Sequence, residues 1–145
     1  MTHISKRMRV PYSAQQMYDL VSDVEAYPHF LPWCRSARVF GTSGDRATAE
    51  IELALGGIHK SFTTRNRAVP GERIDIHLAN GPFRRLEGAW RFRDLPEGGC
   101  EVSLDMDFEF ASRMLSMALS GAFGQVTRTL VDAFRRRAVQ MYGSG

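Results

Sequence analysis

The residue types that most often carry catalysis or bind metals are present in this chain, but they lack the spacing that such chemistry needs. The four histidines (His3, His29, His59, His77) do not stand at metal-ligand intervals, and two of them, His59 and His77, have the outward parity of their predicted strands. No serine has a neighbouring histidine and acid to activate it, and no phosphate-cradling glycine loop occurs. We therefore predict no catalytic residue, no metal site and no enzymatic activity.

The two cysteines, Cys34 and Cys100, are too few for a disulfide framework and are not spaced as metal ligands. We predict that both are reduced and partly buried. No apolar run approaches the ~20 residues that span a bilayer, and the segment from His3 to Val10 alternates like a strand where a signal peptide would need an unbroken apolar run. We expect a cytoplasmic protein that is at most peripheral to the inner membrane.

The composition is that of one ordinary folded domain. The 145 residues are 43% apolar and 24% charged, without a repeat or a linker, so residues 1–145 are predicted to form a single domain. The net charge is +3, and all of the 19 basic residues except Lys6 and Lys60 are arginine. This charge permits contact with acidic lipid headgroups or RNA but requires neither.

Turn signals and apolar spacing predict the elements that would position a site. A first strand covers Ile4 to Val10, and Ser13 with Gln16 three residues later is the capping-box signature of a short helix to about Asp23. Between Trp33 and Phe110 the pattern predicts six strands of an antiparallel meander. The turns between them fall at Gly41–Gly44, Gly56–Gly57, Pro70–Gly71, Asn80–Pro82 and Pro96–Gly99.

An apolar segment with two prolines, Tyr27 to Cys34, lies between the short helix and the six strands. Proline interrupts helices and favours extended geometry in the residue before it. We therefore predict an irregular segment that packs over one mouth of the core.

Alternation along the strands separates an apolar face from a charged face. The apolar face mixes large side chains such as Trp90 with small ones such as Ala49 and Gly88. The other face predicts cross-strand ion pairs, formed by Arg65, Arg67, Arg91 and Arg93 with Glu101, Asp105, Asp107 and Glu109.

The last ~30 residues, Ser112 to Tyr142, contain no proline and predict one helix of about 45 Å. Residues 114–124 are apolar on nearly every side, and the glycines there, Gly121 and Gly124, either ease packing on the sheet or admit another body close to the backbone. An apolar stripe runs along the whole helix, through Leu115, Leu119, Phe123, Val126, Leu130, Phe134 and Met141.

A basic surface follows on the exposed side of the same helix, formed by Arg128, Arg135, Arg136 and Arg137. It is either a solvated helix end, favourably placed near the negative end of the helix dipole, or a contact for anionic lipid headgroups or ribosomal RNA.

A sheet this wide presents more apolar surface than one helix covers, and it curls around what lies on its concave face. The mixture of large and small inward residues then predicts an elongated void for a hydrophobic small molecule. The alternative is that the small residues let the helix approach more closely and leave no void.

Several segments of the chain together resemble one known family. Tyr27–Cys34 resembles the YPxFLPWC segment of the coenzyme Q-binding and RatA-like branch of the START-domain superfamily of polyketide cyclase/dehydrase-like proteins. Further matches follow the same order along the chain, at Val10–Ala14, Lys60–Asn66, Gly81–Phe92 and Asp107–Phe110. The resemblance implies an α+β helix-grip fold: a strand, two short helices, six strands and a long C-terminal helix gripped by a seven-stranded curved antiparallel sheet.

The resemblance also implies a function. Family members are lipid carriers, so the expected role is non-enzymatic binding of ubiquinone or a related isoprenoid lipid in support of respiratory electron transport. Some bacterial members are instead ribosome-association toxins that bind the large ribosomal subunit and inhibit translation. No cofactor is required beyond a bound polyprenyl lipid, peripheral membrane contact is compatible with either role, and no DNA partner is expected.

The ligand-facing residues that the resemblance implies are Phe30, Leu31, Trp33, Phe62, Pro82, Phe83, Leu86 and Trp90. Helical spacing adds Leu115, Ala118, Leu119, Ala122 and Phe123, and inward strand parity adds Thr64 and Asn66 as hydrogen-bond partners of a quinone head group. Both tryptophans have an alternative role as plain core. The Pro82-Phe83 pair is expected in a turn, where it either packs over the pocket mouth or touches a membrane.

Overall fold

A computed structural model describes residues 2–143 of the 145-residue chain. Seven strands, two α-helices and one 3-10 helix account for most of it. In chain order they are β1 (Thr2–Val10), α1 (Ala14–Ser22), the 3-10 helix (Val24–His29), β2 (Cys34–Ser43), β3 (Arg46–Leu55), β4 (Ile58–Val69), β5 (Arg73–Asn80), β6 (Phe83–Asp94), β7 (Cys100–Phe110) and α2 (Arg113–Tyr142).

The strands form one antiparallel sheet in the order β1-β7-β6-β5-β4-β3-β2, so that β1 and β2 are its edges. The six-strand meander predicted from turn signals is confirmed, and the first strand joins it beside the last. The sheet curves around α2, whose buried side packs on the inner face. In the chain, α1 and the 3-10 helix connect the two edge strands, β1 and β2. This is the helix-grip architecture.

The start of α1 follows directly from its sequence. The Ser13 hydroxyl accepts from the Gln16 backbone N–H at 3.1 Å, and the Gln16 side chain accepts from the Ser13 N–H at 2.9 Å. This capping box satisfies two backbone donors that a helix start leaves unpaired. A third donor, the N–H of Ala14, bonds to Asp94 at the end of β6, so the cap also joins the helix to the sheet.

The proline segment is more regular than the sequence predicted. Its first residues, up to His29, belong to the 3-10 helix, which contains Pro28, and its last residue, Cys34, begins β2, so only residues 30–33 are irregular. Proline is tolerated there because its fixed φ suits a tight turn and it removes only one donor from a short element. The hydroxyl of Tyr27 donates to the carbonyl of Val21, which holds this element against α1.

The long helix α2 has a buried stripe and an exposed side. Leu119, Phe123 and Phe134 are buried as predicted, but Met141 is 55% exposed, so its assignment to the stripe was wrong. The last buried residue of the stripe is Ala138, four residues after Phe134. Met141 keeps the angular position of the stripe, within about 20° of Phe134, but residues 139–143 are all exposed, so burial ends before the last turn of the helix.

The apolar first half of α2 is not enclosed. Met114 is 77% and Met117 is 82% exposed, and a Cβ added to Gly121 would meet no atom within 4 Å. At Gly124 the nearest atom to such a Cβ is Arg128 Nη1, from the next turn, at 3.2 Å. No element of the sheet approaches these glycines closely enough to require them.

Some of the ion pairs that alternation predicted are present on the outer face of the sheet. Arg91 lies 3.2 Å from Asp105, and Arg93 lies 3.4 Å from Glu101. Arg67 pairs instead with Asp45 of the β2–β3 turn at 3.0 Å. Such exposed pairs contribute about 0–1 kcal/mol each, so they explain the charge pattern more than the stability.

Candidate functional site: an apolar groove under the long helix

A groove enters the molecule between two pairs of elements. One wall is α1 with the 3-10 helix, and the other is the β2–β3 hairpin with the start of β5. This entrance has a volume of about 470 Å³ and is lined mainly by apolar side chains, among them Tyr18, Val21, Val39 and Ala68. Its polar rim is formed by residues at the tip of the hairpin, including Asp45 and Arg46.

A smaller chamber of about 90 Å³ lies deeper, between the inner face of the sheet and α2. From α2 it is lined by Phe123, Val126, Thr127 and Leu130. Six residues line both spaces: Val24, Tyr27, Ala49, Asn66, Ile76 and Trp90. Because these walls are shared, the entrance and the chamber adjoin, and together they form the apolar groove that reaches under α2.

Small residues have different roles along this groove. Ala49, which is 2% exposed, stands at the junction of entrance and chamber, where a larger side chain would narrow the passage. Gly88 has another function, since an added Cβ there would lie 2.5 Å from the backbone oxygen of Asp105. Its small size therefore permits close packing of β6 on β7 rather than opening the cavity.

Aromatic packing closes the far end of the chamber. The Phe83 ring stacks on Phe110 with centroids 4.7 Å apart, and it lies 5.5 Å from Phe62 and 5.1 Å from Phe123. The expectation that Phe83 covers a pocket mouth or touches a membrane was wrong, because the residue is 4% exposed and belongs to the core. A β-bulge between Phe83 and Arg85 turns this side chain inward, which alternation alone does not reveal.

The structure brings seven of the sequence-predicted ligand residues to the chamber wall: Trp33, Phe62, Thr64, Asn66, Leu86, Trp90 and Phe123. Phe30, Leu31, Leu115 and Leu119 pack in or against the core outside this wall, and Pro82 is half-buried in the turn before β6. Whether any of these residues contacts a ligand stays a prediction.

Ala118 and Ala122 do not belong to the groove. Both are exposed, because each precedes a buried residue, Leu119 or Phe123, and one residue rotates the helix by about 100°.

Sequence analysis also missed two wall residues from the 3-10 helix, Val24 and Tyr27. The apolar character of that segment was visible, but no periodicity told which of its side chains point inward.

Few polar groups reach the groove, and most are already bonded within the protein. The Thr64 hydroxyl, in a residue only 4% exposed, donates to Asn66 Oδ1 at 2.9 Å. The Thr127 hydroxyl donates to the Phe123 carbonyl at 2.9 Å, and Tyr27 donates to Val21. Burial raises the pKa of Tyr27 far above its ordinary value, so this hydroxyl stays neutral.

Charge is confined to the entrance. The walls of the chamber include no aspartate, glutamate, lysine, arginine or histidine among the residues the structure describes. At the rim, a hydrogen bond from Arg67 holds the pKa of Asp45 below its ordinary value. The groove is thus neutral and apolar inside and charged only where it meets solvent.

Both cysteines lie away from any arrangement that would activate a thiol. Cys34 and Cys100 are free and buried, and burial raises the pKa of each to about 11.

Between residues 2 and 143, no cluster of three or more histidine, cysteine or acidic side chains could hold a metal ion. Over the same range, no helix is long and apolar enough to cross a membrane.

The basic surface on α2 is partly engaged. Arg135 and Arg136 both pair with Asp132, at 2.6 Å and 3.1 Å, and the Arg137 guanidinium lies 4.9 Å from the centroid of the Phe30 ring. Arg128 is exposed one turn after Gly124. Asp132 therefore neutralises part of this surface, and Arg137 is occupied with packing.

Comparison with known proteins gives consistent results. Residues 10–135 match the family model described as polyketide cyclase / dehydrase and lipid transport. The "Ribosome association toxin RatA" of Pseudomonas aeruginosa is 44% identical over 98% of this chain and 99% of that protein. The mitochondrial "Coenzyme Q-binding protein COQ10 homolog B" of Xenopus laevis is 30% identical over 91% of this chain and 56% of that protein.

Among solved structures, a START superfamily protein from Mycobacterium smegmatis superimposes with a TM-score of 0.80. The alignment covers 96% of this chain and 98% of that one at 23% identity. At this identity the likeness shows the fold alone, and that fold is the helix-grip arrangement described above.

Proposed function

Because this chain belongs to the polyketide cyclase / dehydrase and lipid transport family, in its RatA/COQ10-like branch, we propose that it binds a hydrophobic ligand in the groove without transforming it. The proposed ligand is ubiquinone or a related isoprenoid lipid, carried in support of respiratory electron transport. The single observation that carries this proposal is the apolar groove formed by the entrance and the adjoining chamber under α2.

The groove can supply affinity by burial alone. Each methylene taken out of water contributes about 0.8 kcal/mol, so burying ten carbons contributes about 8 kcal/mol, which corresponds to a Kd of about 1 μM before the entropy cost of association is subtracted. The chamber of about 90 Å³ accepts only a small part of a ligand. We propose that the head group lies at the junction beside Asn66 and Trp90, while the isoprenoid tail follows the larger entrance of about 470 Å³.

Two further observations support binding rather than catalysis. The described chamber wall holds no ionisable group except the hydroxyl of Tyr27, which donates to a backbone carbonyl and has a raised pKa. Acid–base catalysis needs a group whose pKa lies near the working pH. The relative from Xenopus laevis is named for coenzyme Q binding, which favours a quinone over other lipids.

Extraction of the purified protein with organic solvent, followed by mass spectrometry, tests the proposal. We expect a co-purified isoprenoid lipid, and we expect stripped protein to bind decylubiquinone with quenching of the fluorescence of Trp33 and Trp90 at the groove wall. Repeated absence of any co-purified lipid, together with no binding of decylubiquinone, would contradict the proposal that the protein carries a lipid.

A second candidate function is association with the large ribosomal subunit and inhibition of translation. The observation that favours it is the name of the Pseudomonas aeruginosa relative, which is 44% identical over nearly the full length of both chains. The basic surface on α2 offers exposed arginines for ribosomal RNA, with Arg135 and Arg136 at its centre. Ligand binding and ribosome association use different faces of α2, so one does not exclude the other.

Co-sedimentation with purified large subunits at increasing salt tests this second candidate. We expect binding that weakens with salt and that the double variant Arg135→Glu/Arg136→Glu loses. The matched control, Arg91→Glu/Arg93→Glu, makes the same charge change on the outer face of the sheet and should bind normally. Unchanged polysome profiles on overexpression, with no co-sedimentation, would remove this candidate.

A further inference from the structure

The exposed side of the first half of α2 is apolar. Met114 and Met117, one turn apart, are 77% and 82% exposed. Ala118, Gly121 and Ala122 are exposed as well, and at 100° per residue all five positions fall within an arc of about 140°. Single exposed apolar residues are common on soluble proteins, but a contiguous apolar face marks a surface that contacts something else.

The polar groups of this stretch are satisfied within the protein. Residues 114–127 contain no ionisable side chain. The hydroxyls of Ser116 and Ser120 hydrogen-bond each other with their oxygens 3.0 Å apart, and at the start of the helix the Ser112 hydroxyl accepts from the N–H of Leu115 at 3.1 Å. Polar groups that already have partners lose little when water is replaced by an apolar medium.

Cations stand at both ends of the apolar face. Arg113 precedes it and Arg128 follows it, and both are exposed. Residues 110–131 contain no aspartate or glutamate, so the charge that this segment contributes is entirely positive. A long arginine side chain can keep its stem among apolar atoms while its charged end reaches the phosphates of a lipid surface. An apolar centre with cations at its edges therefore complements the interface of a bilayer that contains anionic lipids.

We infer that residues 113–128 of α2 form a docking surface for a membrane that contains anionic lipids. The helix would lie in the plane of the interface, with Met114 and Met117 among the acyl chains. On the other side of the same stretch, Phe123 and Val126 line the ligand chamber. Docking would therefore bring the chamber within one helix diameter, about 10 Å, of the lipid. This inference does not depend on which molecule the groove binds.

Two other occupants match this surface less well. In a two-fold pair of these faces the arginines of both copies would crowd together at each end, and residues 110–131 supply no carboxylate to neutralise them. An RNA would match the arginines but would leave the two methionines without an apolar partner. Anionic lipid matches both the charge and the apolar centre.

Flotation of the full chain with vesicles of phosphatidylcholine, with and without phosphatidylglycerol, tests the inference. We expect binding to the anionic vesicles that weakens as the salt concentration rises. Met114→Gln/Met117→Gln keeps the length and helix propensity of both side chains and should weaken this binding by about tenfold or more. Met141→Gln makes the same change at the other end of α2, where the methionine is 55% exposed, and should bind as the wild type does. Arg113→Gln/Arg128→Gln should weaken binding to the anionic vesicles by about tenfold or more.

A fluorescent label reports directly whether the methionine positions enter lipid. Both native thiols are buried, so an environment-sensitive dye can be attached selectively to Met117→Cys. We expect its emission to shift to shorter wavelength when anionic vesicles are added. The same dye on Met141→Cys is the matched control and should not shift.

Failure of the wild type to float with anionic vesicles, or equal flotation of the wild type and Met114→Gln/Met117→Gln, would overturn the inference. A dimer in solution that the same variant dissociates, with no vesicle binding, would assign this face to a second copy and would also overturn it. So would co-sedimentation with ribosomes that this variant loses while vesicles are not bound. The wild type and the variant should bind decylubiquinone equally, because Met114 and Met117 lie outside the groove lining, so failure of the proposed function is distinguished from failure of this inference.

Discussion

The guanidinium of Arg137 lies over the face of the Phe30 ring, 4.9 Å from its centroid. Phe30 also meets Phe134 edge-on at 5.3 Å, so the proline segment is held between α2 and the core. Arg137 therefore belongs to the packing of the proline segment against α2, and the basic surface available to a partner reduces to Arg128, Arg135 and Arg136.

This contact predicts that Arg137→Ala costs more stability than a neighbouring substitution. A cation over an aromatic ring contributes about 0.5–1 kcal/mol, and the lost contact with Phe30 should lower the free energy of unfolding by that amount. Arg136→Ala, which breaks an exposed pair with Asp132, should cost less than about 0.5 kcal/mol. Urea denaturation measures both, and equal losses would show that Arg137 is an ordinary surface residue.

Phe134 is predicted to be the most sensitive aromatic residue of α2. It is fully buried and lies within 5.3–5.4 Å of the rings of Tyr27, Phe30 and Trp90. Phe134→Ala should lower the free energy of unfolding by about 3–5 kcal/mol. The matched control is Phe40→Ala at the exposed edge strand, and a similar loss in both variants would contradict the structure.

The fold could be predicted from the sequence because its signals are local. Period-two alternation identified the inner face of the sheet, turn residues identified the meander, and Ser13 with Gln16 identified the start of α1. The inward position of Phe83 could not be predicted in the same way. A β-bulge shifts parity by one residue and depends on pairing with β7, which no local pattern reports.

The groove was only partly predictable for a related reason. Thr64 and Asn66 were identified because strand parity fixes their direction, Trp90 was identified through the family resemblance, and the structure places all three on the chamber wall. Ala118 and Ala122 were wrongly included because residues 114–124 are apolar all around the helix, so composition could not show which side meets the sheet. Tyr27 was missed as a wall residue because a 3-10 turn gives no readable period.

Ala49→Leu is predicted to block the groove. The residue stands where the entrance meets the chamber, and a larger side chain there should weaken decylubiquinone binding by about tenfold or more, at a cost of about 1–3 kcal/mol in stability. Ala54→Leu makes the same change on the same strand but on the opposite face of the sheet. Titration that gives the same affinity for both variants would place the ligand outside this groove.

The buried thiols predict a stability change at high pH. Burial raises the pKa of Cys34 and Cys100 from 9.0 to about 11, so the folded state holds these protons more tightly than the unfolded state. Their contribution is complete below about pH 9 and is lost as the pH rises from 9 toward 11. Denaturant titrations at a series of pH values should show this fall, and it should be smaller in Cys100→Ala.

The same burial predicts that neither thiol reacts in the native protein. At neutral pH both are protonated and shielded, and the thiolate is the form that attacks. Mass spectrometry after treatment with iodoacetamide should show no adduct on folded protein and two adducts once it is unfolded. Rapid native labelling of Cys34 would mean that the segment around it opens readily.

Asp132 sets how much of the basic surface is available to a polyanion. Hydrogen bonding from Arg135 lowers the pKa of its carboxyl, so it stays ionised at neutral pH and neutralises part of the charge of Arg135 and Arg136. Asp132→Asn should therefore increase retention on heparin and tighten any binding to ribosomal RNA, with a salt dependence that is steeper by about one counterion. The control Asp75→Asn removes the ion-pair partner of Arg73 on the outer face of the sheet. It changes the net charge of the protein by the same amount as Asp132→Asn. If the two variants are retained equally, overall charge rather than this surface governs the interaction, and the ribosome candidate loses its docking site.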